Sequence, residues 1–274
     1  MHDKDCISFL QWSLPQLHLR WPGFRKVRRQ VCKRIQKHIA ELGLADLTDY
    51  RHYLTVHSAE WNVLDTFCYI TISRFYRDRR IYDTLKQEIL PLLAQRKVTH
   101  HRNRLNAWSI GCCSGEEPYT LKIIWELAVK TVLERQLSLR ITATDVNLQL
   151  LQRAHEGKYS LGSLKELPSI LLKQAFDQEG RLYYLKERFK ENIEFLPQDI
   201  RKQLPEGYFD VILCRNLVFT YFDQDLQKLI LEKLLNHLFG GGFLIIGMHE
   251  KLPFSHPSLI PYEDHLPVFL KLTE

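Results

Sequence analysis

Three short runs in this chain carry side chains with the means to do chemistry. The first is Trp108-Ser109-Ile110-Gly111-Cys112-Cys113-Ser114-Gly115-Glu116-Glu117-Pro118-Tyr119, an apolar stretch that enters a turn holding two glycines and leaves it on an acidic pair. Glycines let a ligand approach the backbone closely, and a helix beginning after them offers free amides. Carboxylates at Glu116 and Glu117 would repel a phosphate where a dinucleotide site needs neutral amides. They suit a ligand that brings an ammonium or a sulfonium. The alternative is favourable negative charge at a helix start, worth about 0.3 to 1 kcal/mol. The second run, Ile141-Thr142-Ala143-Thr144-Asp145-Val146-Asn147, closes on an acid able to accept hydrogen bonds from both hydroxyls of a ribose; the alternative is an N-cap for a helix starting near Asn147. The third, Cys214-Arg215-Asn216, closes Phe209-Asp210-Val211-Ile212-Leu213 and precedes Tyr221-Phe222-Asp223. A cation, an amide and an aromatic at one strand end would line a pocket for methyl transfer, the alternative being a surface Arg–Asp pair.

These runs need elements that bring them together. Apolar stretches of strand length, Ala107 to Ile110, Arg140 to Thr144, Ile193 to Leu196, Phe209 to Cys214 and Gly242 to Gly247, alternate with amphipathic helical segments. That alternation predicts an α/β fold, a doubly wound and mostly parallel sheet with helices on both faces. Ligands of such sheets sit at the carboxyl ends of the strands, where all three runs close. The first 94 residues read differently, as short helices separated by Trp21-Pro22-Gly23 and Leu42-Gly43-Leu44, with one helix from about Asp49 and another capped by Ser58. The expected organisation is an all-α N-terminal domain over 1–94, a basic linker over 95–106 and the sheet domain over 107–274.

Composition sets further bounds. The balance of 45% hydrophobic and 26% charged residues is that of a folded globular chain, which excludes a disordered one. Charged or polar residues interrupt every apolar stretch before the roughly 20 residues that a membrane span requires. The start is also unlike a signal peptide, so a cytoplasmic location without membrane insertion is expected. In that compartment Cys6, Cys32, Cys68, Cys112, Cys113 and Cys214 should be reduced thiols. None shows paired metal-ligand spacing, and Cys112-Cys113 reads as packing in a tight turn. The net charge of +6 is concentrated in Arg20, Arg25, Lys26, Arg28, Arg29, Lys33, Arg34 and Lys37, with no acid between Arg20 and Ala40. Phe24, Val27, Val31, Ile35 and Ile39 recur at helical spacing within it, so one face is buried. The cations are either a solvated face or a dock for an acidic partner, and no aromatic interleaving supports nucleic acid.

Taken in order, Ile72-Ser73-Arg74-Phe75-Tyr76-Arg77-Asp78, the turn Gly111 to Tyr119, Ala143-Thr144-Asp145, Phe209 to Phe222, and Gly240-Gly241-Gly242-Phe243-Leu244-Ile245-Ile246-Gly247-Met248-His249-Glu250 resemble the successive blocks of the CheR methyltransferases. The resemblance covers nearly the whole chain. It implies an S-adenosylmethionine-dependent O-methyltransferase that forms methyl esters on carboxylates, releasing S-adenosylhomocysteine. The implied acceptor is a glutamate of an acidic protein such as a chemoreceptor cytoplasmic domain. Residue by residue, it implies cofactor contacts at Ser73, Arg77, Gly111, Cys112, Glu117 (the amino group), Asp145 (the ribose), Val146, Asp199 and Ile200 (beside the adenine), Arg215 and Asn216. It implies catalytic roles for Arg77, Arg215 and Tyr221. The chain departs from the family pattern in three places: seven residues rather than six from Arg215 to Tyr221, so that Phe219 or Thr220 competes for the tyrosine's place, Met248-His249-Glu250 for His-Ser-Glu, and Ser73 for Thr. A carboxylate acceptor is ionised at neutral pH and needs orientation more than a general base, which a bidentate guanidinium of Arg77 or Arg215 would supply. A small-molecule methyltransferase on the same scaffold and a cofactor-binding regulator without turnover are the other readings.

Overall fold

The structure, a computed structural model, describes residues 2–133 and 137–273. Its packing separates two compact units, Met1–Thr71 with Val218–Gln227 and Ile72–Leu217 with Lys228–Glu274.

The larger unit is built on a seven-stranded sheet of β1 (Arg104–Ile110), β2 (Ser138–Asp145), β6 (Ile193–Pro197), β7 (Phe209–Cys214), β8 (Leu238–Ile246), β9 (Leu259–Pro261) and β10 (Val268–Lys271). Their order across the sheet is β6-β2-β1-β7-β8-β10-β9. The strands β6, β2, β1, β7 and β8 are parallel; β10 runs antiparallel to both β8 and β9. Every residue of β7 is buried, the pattern of a strand covered on both faces. From β1 the chain builds outward through β2 and β6, then crosses back to β7 and β8, so the order reverses between β1 and β7. Register carries the functional consequence: Ile110 pairs with both Thr144 and Cys214, and Cys214 pairs with Ile246. The next residues, Gly111, Asp145, Arg215 and Gly247, therefore stand in one row along the carboxyl edge, astride the reversal.

All five predicted strands form, within a few residues of the expected limits. A three-stranded antiparallel sheet of β3 (Lys158–Ser160), β5 (Leu182–Leu185) and β4 (Phe176–Glu179) was not legible, because strands of three or four residues hold too few alternations to register. The stretch 95–106 is not an open linker. Residues through Thr99 complete the helix Leu90–Thr99, and β1 begins at Arg104. Phe75, Tyr76, Ile81, Tyr82, Leu85 and Ile89, on the N-terminal side of that stretch, belong to the same buried cluster as Leu121, Trp125, Val211 and Phe243. Residues 72–94 thus pack with the sheet.

The smaller unit contains the helices Asp3–Ser13, Arg28–Glu41, Leu47–Val56 and Glu60–Phe67. Asp46 caps the third, its carboxylate accepting from the amides of Thr48 and Asp49. The fourth starts after Ala59 without a side-chain cap, so Ser58 does not play that part. In Arg28–Glu41, Val31, Cys32, Ile35 and Ile39 are buried while Arg29, Lys33 and Lys37 are exposed. Cys6 and Cys32 are joined in a disulfide with Cα atoms 6.1 Å apart, correcting the expectation that all six cysteines are free. They meet because each stands on the buried face of its helix. Gly23 is fixed by crowding: a Cβ there would lie 2.2 Å from the Thr220 carbonyl oxygen.

Candidate active site

Asp145 ends β2 with its carboxylate spanning two loops. Oδ2 accepts from the Cys113 amide at 2.8 Å and Oδ1 from the Asn147 amide at 2.9 Å. It is not the cap of the following helix; Asn147 is, accepting from the amides of Gln149 and Leu150. Burial pushes the Asp145 carboxyl up, opposed by the amides of Asn147, Cys113 and Val146. With these amides satisfied, the carboxylate still keeps acceptor capacity for a ligand hydroxyl.

The glycine turn packs against this acid. Gly111 and Gly115 have φ of +68° and +87°, and a Cβ on Gly115 would come within 3.0 Å of Ala154 Cβ. Only glycine takes both the dihedral and the crowding without strain. Burial pushes the thiols of Cys112 and Cys113 well up, so both stay neutral and neither is a ready nucleophile.

Glu117 and Arg215 meet beneath the turn. Glu117 Oε1 accepts from the Ser109 hydroxyl at 2.8 Å, and Oε2 from Arg215 Nη1 at 2.9 Å. The same Nη1 donates to the Tyr82 hydroxyl at 2.9 Å, while Nη2 donates to the Arg77 carbonyl at 2.8 Å and to Asp78 Oδ2 at 2.7 Å. Both ends of the Arg215 fork are thus engaged within the protein, and the side chain is only 3% exposed. A buried charge held by four oxygens is a structural hub; its Nε alone is without a partner among the described residues, which leaves no edge to clasp an acceptor in two places.

Arg77 is arranged differently. Only its Nη1, which donates to the Ile72 carbonyl at 2.7 Å, has a partner among the described residues. Its neighbours Tyr76 and Asp78 both have positive φ, +60° and +63°. Two consecutive-but-one non-glycine residues in that region store strain of about 1 to 3 kcal/mol each. The surroundings impose it: the Tyr76 amide donates to the Thr120 hydroxyl at 3.1 Å, the Tyr76 hydroxyl to Asp83 at 2.9 Å, and Asp78 is held by Arg215. Ser73, nearby on the same segment, hydrogen-bonds Glu116 and opposes the rise that burial forces on that carboxyl.

Of the other predicted residues, Gly111, Cys112, Val146, Ile200 and Asn216 lie along or beside the row; Val146 is half-buried and Ile200 buried. Asp199 is bound to Arg201 through both oxygens, at 2.9 Å and 2.8 Å, which weakens it as a free acceptor. Tyr221 belongs to the smaller unit, where its ring packs on Phe24 with centroids 4.9 Å apart and its carbonyl accepts from the Arg20 amide at 2.8 Å. Ser109, Asp78, Tyr82, Gln198 and Glu250 also build the site, although no role was expected of them from the sequence. Gln198 follows β6, its amide donating to the Asp145 carbonyl at 3.1 Å and its Oε1 buried without a partner among the described residues. Glu250 Oε2 accepts from the amides of Gly247 at 2.6 Å and Asn216 at 2.8 Å, tying the ends of β8 and β7 together and holding Asn216 at a φ of +56°. Its signal in the sequence was its place at the end of the last Gly-rich block, where the family's His-Ser-Glu also ends on Glu.

A doubly wound sheet with an acid closing its second strand, a glycine turn on its first and acidic residues opening the next helix has the features of the class of enzymes that bind nucleoside cofactors at the strand ends. Residues 71–264 match the family described as CheR methyltransferase, SAM binding domain. The chain is 33% identical over 250 residues to a chemotaxis protein methyltransferase of Listeria monocytogenes, spanning 91% of each chain. It is 30% identical over 244 residues to the chemotaxis protein methyltransferase of Escherichia coli strain K12, spanning 84% of this chain and 78% of that one. A probable chemotaxis protein methyltransferase of Rhizobium etli is 30% identical over 229 residues, 81% of this chain and 84% of that one.

The chain belongs to the CheR methyltransferase family. It is an enzyme that transfers a methyl group from S-adenosylmethionine. No helix among the described residues is long and apolar enough to cross a membrane.

Proposed function

We propose that this enzyme forms methyl esters on glutamate side chains of an acidic protein, the cytoplasmic domain of a chemoreceptor, with its cofactor lying along the row from Gly111 to Gly247. The observation that carries the reading is Asp145: a buried carboxylate at the carboxyl end of β2, next to the strand-order reversal, fixed by the amides of Cys113 and Asn147 with acceptor capacity to spare. It suits a ribose diol. Gly111, Cys112, Val146, Ile200 and Asn216 frame the same ligand, and the orphaned Gln198 Oε1 is an acceptor suited to an exocyclic amine, a better one than the paired Asp199. Glu117 keeps acceptor capacity for an ammonium while Arg215 fixes its rotamer. When bound, S-adenosylmethionine supplies an electrophilic sulfonium methyl.

The residues of this chain then have an orienting task. An acceptor carboxylate is ionised at neutral pH, so forming its O–CH3 bond as the C–S bond breaks requires no proton transfer; the electron pair of the broken bond stays on sulfur. Arg77, with a guanidinium edge to spare and a backbone set by its strained neighbours, is suited to hold one carboxylate oxygen while the other attacks. Arg215 is a positioning residue for Glu117 and for the 77–78 backbone. The role of Tyr221 rests on the family resemblance. In the smaller unit the exposed Arg25, Lys26, Arg29 and Lys33 fit an acidic acceptor.

The test is transfer of a labelled methyl group from S-adenosylmethionine to a purified chemoreceptor cytoplasmic fragment. Base-labile label released as methanol, with multiple turnovers, is expected. Label appearing only on small carboxylic acids, or none from folded protein that binds the cofactor, overturns the reading.

A further inference from the structure

Beside the carboxyl end of β8 lies a cavity of about 500 Å³, lined in part by Met248, Phe254, Phe269, Lys251, His256 and His265. Glu250 also reaches the lining, but the amides of Gly247 and Asn216 occupy its Oε2, so that carboxylate is committed to the strand ends. Through this bridge the cavity adjoins the row that contains Arg215 and Asp145, on the β8 side.

The lining is apolar, with the ammonium of Lys251 at its edge. Lys251 is exposed and has no hydrogen bond or ion pair among the described residues. His265 is exposed, with a φ of +70°. His256 is engaged locally, its Nδ1 accepting from the Ser258 amide at 3.2 Å and its Nε2 lying 3.5 Å from Glu232. Among the described residues, the free permanent charge at this mouth is therefore the ammonium of Lys251.

We propose that this cavity is an acceptor subsite, receiving the acidic polypeptide segment next to the glutamate that is methylated. An apolar side chain of that segment seats among Met248, Phe254 and Phe269, and a neighbouring carboxylate pairs with Lys251. Charge complementarity selects this occupant: an anionic segment gains from an unpaired ammonium, whereas a cationic one is repelled by it. The subsite rests on the reading that the acceptor is an acidic protein, and it gives the enzyme a hold on sequence around the target.

Lys251→Glu and Phe254→Ala, assayed on the chemoreceptor fragment, test the proposal, with Arg104→Glu as a control because Arg104 is exposed at the opposite, amino edge of the sheet. Each test variant should raise KM for the fragment about fivefold or more while kcat stays within about twofold. Affinity for S-adenosylmethionine by calorimetry should be unchanged, and Arg104→Glu should match wild type throughout. Wild-type KM in both test variants of an active, folded enzyme overturns the subsite and leaves the proposed reaction standing. A wild-type enzyme that never labels the fragment sinks the reaction and the subsite together.

Discussion

Arg215 Nη1 donates to Glu117 Oε2 at 2.9 Å while Nη2 of the same fork donates to Asp78 Oδ2 at 2.7 Å, so one buried guanidinium joins the end of β7 to the first turn of the helix Glu116–Ile124 and to the strained segment ahead of Arg79. Two acids converge on a cation that is 3% exposed. The arrangement sets the direction of Glu117 and the backbone of Arg77 together.

Arg215→Ala should therefore cost about 3 kcal/mol in stability, because it leaves the half-buried Glu117 and Asp78 without their counter-ion. Arg215→Lys keeps the charge but cannot reach four oxygens at once, and should lower kcat/KM at least about tenfold, or about 1.4 kcal/mol in the barrier. Urea unfolding and steady-state kinetics check the two parts. Undiminished turnover in Arg215→Lys would contradict the hub.

Arg77 is separable from its neighbours. Arg79 lies 3.7 Å from Asp83 and Arg80 3.7 Å from Glu263, both as largely exposed pairs, so their replacement by Ala should change stability by no more than about 0.5 kcal/mol. Arg77→Lys loses the planar fork and should slow methyl transfer at least about tenfold with the fold retained. Equal turnover in Arg77→Lys and Arg79→Ala would remove Arg77 from the mechanism.

Asp145→Ala should weaken binding of S-adenosylmethionine by about 1.5 to 3 kcal/mol, read by calorimetry. A pH effect accompanies this. Burial raises the folded-state pKa of Asp145 above the unfolded value of about 3.9. The folded chain thus holds that proton more tightly, a contribution complete below the unfolded value and lost as pH rises through the folded one. On lowering pH from 7 toward 4, wild type should gain stability relative to Asp145→Asn in urea unfolding. Parallel pH profiles would show that the carboxylate is not raised.

The disulfide makes a prediction about the smaller unit. Cys6 and Cys32 are 26 residues apart, and closing a loop of that size stabilises by about 3 kcal/mol on the chain-entropy account. Reduction, or Cys32→Ser, should lower stability by that order. Thiol titration of the unfolded, unreduced chain should find Cys68, Cys112, Cys113 and Cys214 alone.

Much of the catalytic unit was legible because its signals are local. Period-two and buried apolar runs announce parallel strands, glycine announces a turn, and a lone acid after a strand announces its carboxyl end; hence Gly111, Asp145 and Arg215 could be named from their neighbours in the chain. Local signals do not say what a side chain touches. That Arg215 is consumed by Glu117, Asp78, Tyr82 and the Arg77 carbonyl, whereas Arg77 keeps an edge open, depends on residues up to 138 positions apart brought together by burial. The same holds for residues 72–94. Their helical spacing reads alike whether the apolar face meets other helices or the sheet, and tertiary packing decided for the sheet. Glu250 and Gln198 carried no periodic or turn signal; only the convergence of strand ends gave one a pair of amides and left the other with a buried oxygen. Sequence by itself determined the five parallel strands and the residues that end them, because those choices depend on neighbours a few residues away. Which of those residues is free to meet a substrate was decided by the tertiary structure, since a charge is spent or spared by partners that the chain brings from elsewhere.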